Sequence, residues 1–221
     1  LNLPVTILNI GGIANITSIN KSNTIISSDV GPGNCLIDKW IRLNSDKLFD
    51  KDGLIARSGK INTFVLKHAL ENFYSSYVRG KRSYDIRDFD LSFVKDLCLE
   101  DGAATLTEFS ADIITFKMLI DINKINDPID AYAHTPKGNI YVCGGGRKNK
   151  FLIESIEKKI QSKNIENKIK LIDDLGIDGD FIESQAFAYL ATRSFLKLPI
   201  SFPETTGCIK PCTGGIIIKN F

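Results

Sequence analysis

A glycine pair set between two strand-patterned runs constrains this chain most. Val5-Thr-Ile-Leu-Asn-Ile10 is rich in β-branched residues and predicts a strand. Ala14-Asn-Ile-Thr-Ser-Ile19 alternates apolar and polar side chains, as a half-buried strand does. Gly11-Gly12 between them predicts a hairpin turn. Glycine there permits positive φ and lets a ligand approach the backbone, so the turn's amides could cradle an anion; an ordinary tight hairpin would use the same residues.

A second glycine segment, Asp29-Val-Gly-Pro-Gly-Asn34, adds a carboxylate. Thr24-Ile-Ile-Ser-Ser28 predicts a third strand, with Asp29 at its carboxyl end ahead of the sharp turn formed by Gly31, Pro32 and Gly33. Asn34 then reads as a helix N-cap, and a helix over 36–43 places Leu36, Ile37, Trp40 and Ile41 on one buried face. A carboxylate at a strand end, beside helix amides able to hold phosphate, suits a general base acting on a hydroxyl or water. A turn-forming Asx residue is the other reading of Asp29.

Helical patterns over 61–77 and 103–120 precede a strand, Asn139–Cys143, whose end carries Gly144-Gly145-Gly146. A helix over 149–160, a strand over 169–172 and a last helix over 180–196 follow. Three hairpin-connected strands and then alternating helix and strand predict a mixed five-stranded α/β sheet flanked by helices. Glycines where a strand feeds a helix could pass under a nucleotide or simply form a helix-entry turn.

The chain has 221 residues with 43% hydrophobic content, enough for one compact core over 1–221 with no linker. A net charge of +2 makes no electrostatic case for nucleic acid, and the lysine-rich stretch 148–170 predicts a solvated helix face. No apolar run is long enough to span a bilayer and no signal-peptide pattern opens the sequence, so the expectation is a cytoplasmic protein without membrane contact. Five scattered cysteines predict reduced thiols. Cys208 and Cys212 lack the partners to complete a four-ligand metal site, so no metal ligand is assigned. His68 and His134 read as structural or exposed.

Taken in order, several segments resemble the second lobe of anhydro-N-acetylmuramic acid kinases, within the actin-like sugar kinase superfamily. They are Asn9-Ile-Gly-Gly-Ile-Ala-Asn-Ile-Thr17, Asp29-Val-Gly-Pro-Gly-Asn34, Phe49-Asp-Lys-Asp-Gly53, Asp101-Gly-Ala-Ala-Thr-Leu-Thr107, Val142-Cys-Gly-Gly-Gly146 with Asn149, Gly179-Asp180 with Glu183, Ala186-Phe-Ala188 and Thr206-Gly207. The resemblance covers nearly the whole chain. It implies an actin-like (ribonuclease H-like) lobe and an ATP- and Mg2+-dependent kinase that opens 1,6-anhydro-N-acetylmuramic acid and phosphorylates it, in peptidoglycan recycling. By this resemblance Asp29 is the catalytic base. Gly11 and Gly12 lie beside the phosphates, Gly144, Gly145, Gly146 and Asn149 beside adenosine, and Gly31, Asn34 and Glu183 at the sugar. The family also suggests a homodimer.

The family's first lobe, with its Gly-Thr-Ser phosphate loop, has no counterpart in these residues. The resemblance therefore implies a partner in the form of a separate N-terminal lobe, or else an inactive remnant that serves as a nucleotide- or sugar-binding module. Arg79-Gly-Lys-Arg-Ser-Tyr-Asp-Ile-Arg-Asp-Phe89 departs from the family's Pro-Pro-Lys-Ser stretch: Arg82 replaces the lysine, Ile86 replaces an arginine and both prolines are gone. Residues 79–82 otherwise read as an exposed turn.

Overall fold

The computed structural model describes residues 2–76, 83–126, 138–163, 168–216 and 218, without the side chains of 76, 121–126 and 204. Strands β1 (Val5–Ile10), β2 (Ile13–Ile19) and β3 (Ile25–Pro32) form an antiparallel meander. β4 (Asn139–Cys143) lies parallel to β1, and β5 (Ile169–Leu171) parallel to β4. The sheet order is β3-β2-β1-β4-β5, the mixed five-stranded arrangement expected from the strand pattern.

Among the described residues seven α-helices accompany it: α1 (Cys35–Asn44), α2 (Leu54–Ser58), α3 (Thr63–Ser76), α4 (Leu99–Asn126), α5 (Lys150–Ser162), α6 (Ile182–Phe195) and α7 (Pro203–Thr206). Period-2 alternation sends Leu8, Ile10, Ala14, Ile16 and Val30 to one sheet face, where they pack on Ile114 and Met118 of α4 and Leu152 and Ile156 of α5. A second cluster joins the predicted α1 face, Leu36, Ile37, Trp40 and Ile41, to Leu106, Phe109 and Ile113 of α4. On the opposite sheet face, Val5, Tyr141 and Cys143 form a smaller cluster with Ile172, against which Ile182 of α6 packs.

Several expectations need correction. β3 does not end at Ser28 but runs to Pro32, so Asp29 lies within the strand, paired with Asn15 after a register shift at Ala14/Asn15. α4 is longer at both ends than its apolar periodicity predicted, and Glu100 and Asp101 in its first turn complement the helix dipole at its start. The lysine-rich stretch is not uniformly solvated: Lys159 turns inward to pair with Glu108 at 2.6 Å and Asp112 at 2.8 Å on α4. α7, only four residues long, offers no periodicity to read. His68 is exposed on α3, 3.5 Å from Glu71. His134 and residues 79–82 lie outside the described residues.

Two of the family-like motifs serve the scaffold. Asp50 is buried and accepts hydrogen bonds from the Ile55 and Ala56 amides at 2.8 and 2.9 Å, capping α2. Gly53, at φ +70°, has no room for a Cβ against Asn149 and Phe151 at the start of α5. Asp101 accepts from the Lys60 amide at 2.7 Å. Among the described residues no helix is long and apolar enough to cross a membrane.

The five cysteines are unpaired. Burial pushes the thiols of Cys35 and Cys143 up to about 11, whereas Cys98 and Cys212 are exposed. Thiolate is the reactive form, so native alkylation at about pH 8 modifies Cys98 and Cys212 and spares Cys35 and Cys143 until the chain is unfolded. Peptide mass mapping reads the order, and early labelling of Cys143 would contradict the burial of the β4 end.

Candidate active site

Strand register builds the site. Cys143 pairs with Asn9, Asn9 with Asn15, and Asn15 with Asp29. Directly opposed residues point to the same face. Cys143, Asn9, Asn15 and Asp29 therefore form one row across four strands, on the face away from α4 and α5, since Leu8, Ile10, Ala14 and Ile16 alternate with them into the other core. The register shift beside Asn15 is a bulge-type irregularity, a device that re-aims side chains locally.

Asp29 stands at one end of this row, half-buried, in a cavity of about 300 Å³. Asn15, Thr17 and Ser27 line it from the sheet, Ser83 from the loop before Tyr84, and Thr205 and Thr206 from α7. Thr17 and Ser27 share a hydroxyl–hydroxyl bond of 3.0 Å. Uncharged hydroxyl and amide groups around a single carboxylate suit a polyhydroxylated ligand better than an anion. The Tyr84 amide donates to Asp29 Oδ2 at 2.7 Å, which orients the carboxylate. With one oxygen held in this way, the other is sufficient for base chemistry.

The divergent loop thus reaches the site. Besides the Tyr84 amide, Ile86 approaches Gly12, and Arg87 projects into solvent beside Asp85, with Nε 3.4 Å from the carboxylate.

Gly11 and Gly12 form the predicted β1–β2 turn, but this turn is committed to α1. The Gly11 carbonyl accepts from the Asn34 amide at 2.9 Å, and the Gly12 carbonyl accepts from the amides of Gly33 and Cys35 at 2.9 and 3.1 Å. These helix-entry amides, which the sequence suggested for phosphate, are satisfied within the fold. Asn34 occupies the N-cap position without a side-chain cap bond. Gly31, at φ +154°, lies so close to Ile113 of α4 that a Cβ would stand 2.5 Å from its methyl carbon. Neither Gly31 nor Asn34 lines the Asp29 cavity.

The remaining predicted residues gather at the other end of the row. Gly144, at φ +77°, lies against Asn9 and Ile10, Gly146 lies against Ile10, and Gly145 faces open space. Asn149 is buried and accepts from the Leu152 amide at 3.1 Å, capping α5. Asn9 Nδ2 donates to Glu183 Oε1 at 3.5 Å, which puts Glu183 beside the triple glycine rather than in the Asp29 cavity. A larger cavity of about 640 Å³ opens next to this end, between α5 and β5, with Lys148, Lys150, Ile153, Ile169, Lys170 and Leu171 among its lining residues.

Arg147 fastens the α6 approach to the glycine turn. Its buried guanidinium donates to Asp173 at 2.8 and 3.1 Å, to Asp180 at 2.7 Å and to the Gly144 carbonyl at 3.1 Å. Hydrogen bonds from Arg147, and then Lys148, hold the Asp180 carboxyl down at about 2, and Arg147 also lowers that of Asp173. An unfolded aspartate titrates near ~3.9. These folded values lie below it, so the pairs contribute stability above about pH 4 that is lost as pH falls toward about 2. Unfolding free energy should therefore fall less steeply with acid in Arg147→Gln than in the parent chain; equal slopes would refute the linkage.

Sequence reasoning missed Asn15, Thr17, Ser27, Thr205 and Thr206 as cavity residues. Asn15, Thr17 and Ser27 were recoverable from hairpin register, because alternation places them with Asp29 on the face opposite the apolar core. Thr205 and Thr206 depend on how the chain after α6 returns to β3, which no local pattern encodes.

The profile of the family described as anhydro-N-acetylmuramic acid kinase matches residues 2–220. A protein of that name from Pelagibacter ubique is 50% identical over 220 residues, covering 99% of this chain and 56% of the relative. The namesake from Caulobacter vibrioides is 37% identical over 218 residues, covering 99% and 54%. A solved activator of the 2-hydroxyisocaproyl-CoA dehydratase from Clostridium difficile, with bound ADPNP, is 12% identical with a TM-score of 0.40, over 82% of this chain and 57% of that one. The chain spans about half the length of the curated relatives it matches.

Proposed function

The chain belongs to the anhydro-N-acetylmuramic acid kinase family, and from that premise we propose that it forms one half of an ATP-dependent kinase that hydrolytically opens 1,6-anhydro-N-acetylmuramic acid and phosphorylates it to N-acetylmuramic acid 6-phosphate, in cell-wall recycling. The observation that carries this reading is the single carboxylate of Asp29, oriented by the Tyr84 amide in a hydroxyl- and amide-lined cavity that suits a sugar.

Asp29 takes a proton from water as the water oxygen bonds to the anomeric carbon. The bond from that carbon to the bridging oxygen breaks, the released oxygen forms a bond to the terminal phosphorus of ATP, and ADP leaves. Asn15, opposite Asp29 in the register, and the hydroxyls of Thr17 and Ser27 orient the sugar by hydrogen bonding. The nucleotide belongs at the Gly144–Gly146 end of the row; in the neighbouring cavity Ile153, Ile169 and Leu171 offer apolar surface to a base, while its lysines are matched by Asp52, Glu154, Glu157, Asp173 and Asp174 and leave the phosphates to the glycine turn. Gly11 and Gly12 lie between the two ends. Glu183, held by Asn9, is the sugar-side candidate nearest the nucleotide.

Among the described residues no group of three or more His, Cys, Asp or Glu could hold a metal ion. Mg2+ would come bound to the nucleotide and would neutralise charge on its phosphates. A partner lobe supplied by the other half of the family's protein would close over the phosphates.

A second reading, an inactive nucleotide- or sugar-binding module, draws on the helix-entry amides already satisfied by Gly11 and Gly12. The test is ATP-dependent phosphorylation of 1,6-anhydro-N-acetylmuramic acid by a chimera in which this chain replaces the matched half of the Pelagibacter relative. Turnover supports the kinase; a folded chimera that binds the sugar without turnover supports the module.

A further inference from the structure

No residue of α6 is buried, although its sequence, Ile-Glu-Ser-Gln-Ala-Phe-Ala-Tyr-Leu-Ala-Thr-Arg-Ser-Phe, is largely apolar. Phe187, Ala191 and Phe195, at i, i+4 and i+8, form one stripe along the helix, and the two phenylalanines are 72% and 71% exposed. The neighbouring Tyr189 stripe is different, since the Arg193 guanidinium lies over that ring at 5.6 Å. An apolar stripe of this kind on a water-soluble surface marks an interaction site.

Its position indicates what covers it. α6 starts beside Glu183, which is tied to Asn9 at the glycine end of the row, and the chain beyond it leads to α7, which walls the Asp29 cavity with Thr205 and Thr206. A body seated on the stripe would thus adjoin both ends of the candidate site. The family's relatives carry nearly half of their chain beyond the region matched here, enough for such a body.

We infer that the Phe187–Ala191–Phe195 face of α6 is the docking surface for the other half of the family's protein, and that docking there closes the row from Gly144 to Asp29. This rests on the kinase-half reading for its partner and names the surface that the partner takes.

Hydroxyl-radical footprinting of Phe187 and Phe195 tests it, in this chain alone and in the Pelagibacter chimera. Both rings should react rapidly in the isolated chain at every concentration and several-fold more slowly in the chimera. Phe187→Ser with Phe195→Ser should lower the chimera's unfolding midpoint while changing that of the isolated chain much less. Equal ring reactivity in a cooperatively folded chimera would overturn the inference. So would protection that grows with concentration in the isolated chain, which would assign the stripe to a second copy. Should the chimera fail to fold cooperatively, the same helix in the intact Pelagibacter relative is footprinted, with solvent-reactive side chains on that stripe again overturning the inference. Protected rings without turnover would leave the docking surface standing and sink the kinase reading, whereas turnover with reactive rings would do the reverse.

Discussion

Asp29→Asn in the active chimera lowers turnover by about a hundredfold to ten-thousandfold, the usual loss when a positioned general base is removed. The substitution keeps the size of the side chain and its acceptor for the Tyr84 amide, so the 2.7 Å bond that orients it survives. What disappears is the capacity to accept the water proton. The effect should fall on kcat more than on KM, because the base matters in the transition state and contributes little to ground-state sugar binding. Asn15→Ala provides the contrast. It removes an amide that faces Asp29 across the β2–β3 register and should raise KM with a smaller loss of kcat. An Asp29→Asn enzyme with ordinary kcat, measured by coupled release of ADP, would move the base elsewhere.

How far the sequence foretold this site depends on what each residue answers to. Strands β1 and β4 have the ends predicted for them, because a run of β-branched residues closed by glycine is a local signal. The buried face of α1 was likewise legible from helical spacing alone. Asp29 was legible as a carboxylate near a turn, yet its cavity was not, since Ser83, Thr205 and Thr206 are brought in by segments remote in sequence. The glycines divided according to their neighbours. Gly144 needs its positive φ, as a glycine turn between strand and helix suggests, whereas Gly31 is required by the close approach of Ile113, a contact across more than eighty positions. The helix-entry amides of α1 looked available because nothing local showed that the Gly11 and Gly12 carbonyls would reach them.

Trp40→Ala should cost about 3–5 kcal/mol, the range for deleting a buried aromatic side chain. Trp40 is 4% exposed, and its Nε1 donates to the Leu99 carbonyl at 2.9 Å. Its indole lies directly on Gly102, where a Cβ would sit 2.4 Å from the ring carbons. The Asp-Gly pair at 101–102, part of one of the family-like segments, is architectural: the aspartate carboxylate accepts the Lys60 amide and the glycine admits α1 to α4. Because domains of this kind are stable by only about 5–15 kcal/mol, the loss is a large share of the total. In urea the midpoint should drop with the slope unchanged. Gly102→Ala alone, by overpacking, should cost about 1–3 kcal/mol. In the double variant the alanine methyl enters space vacated by the indole, so the combined loss should fall short of the sum of the two single losses. Strict additivity would mean that Trp40 and Gly102 do not share this contact, and a Trp40→Ala loss under about 1 kcal/mol would mean that α1 is not seated on α4 through the indole.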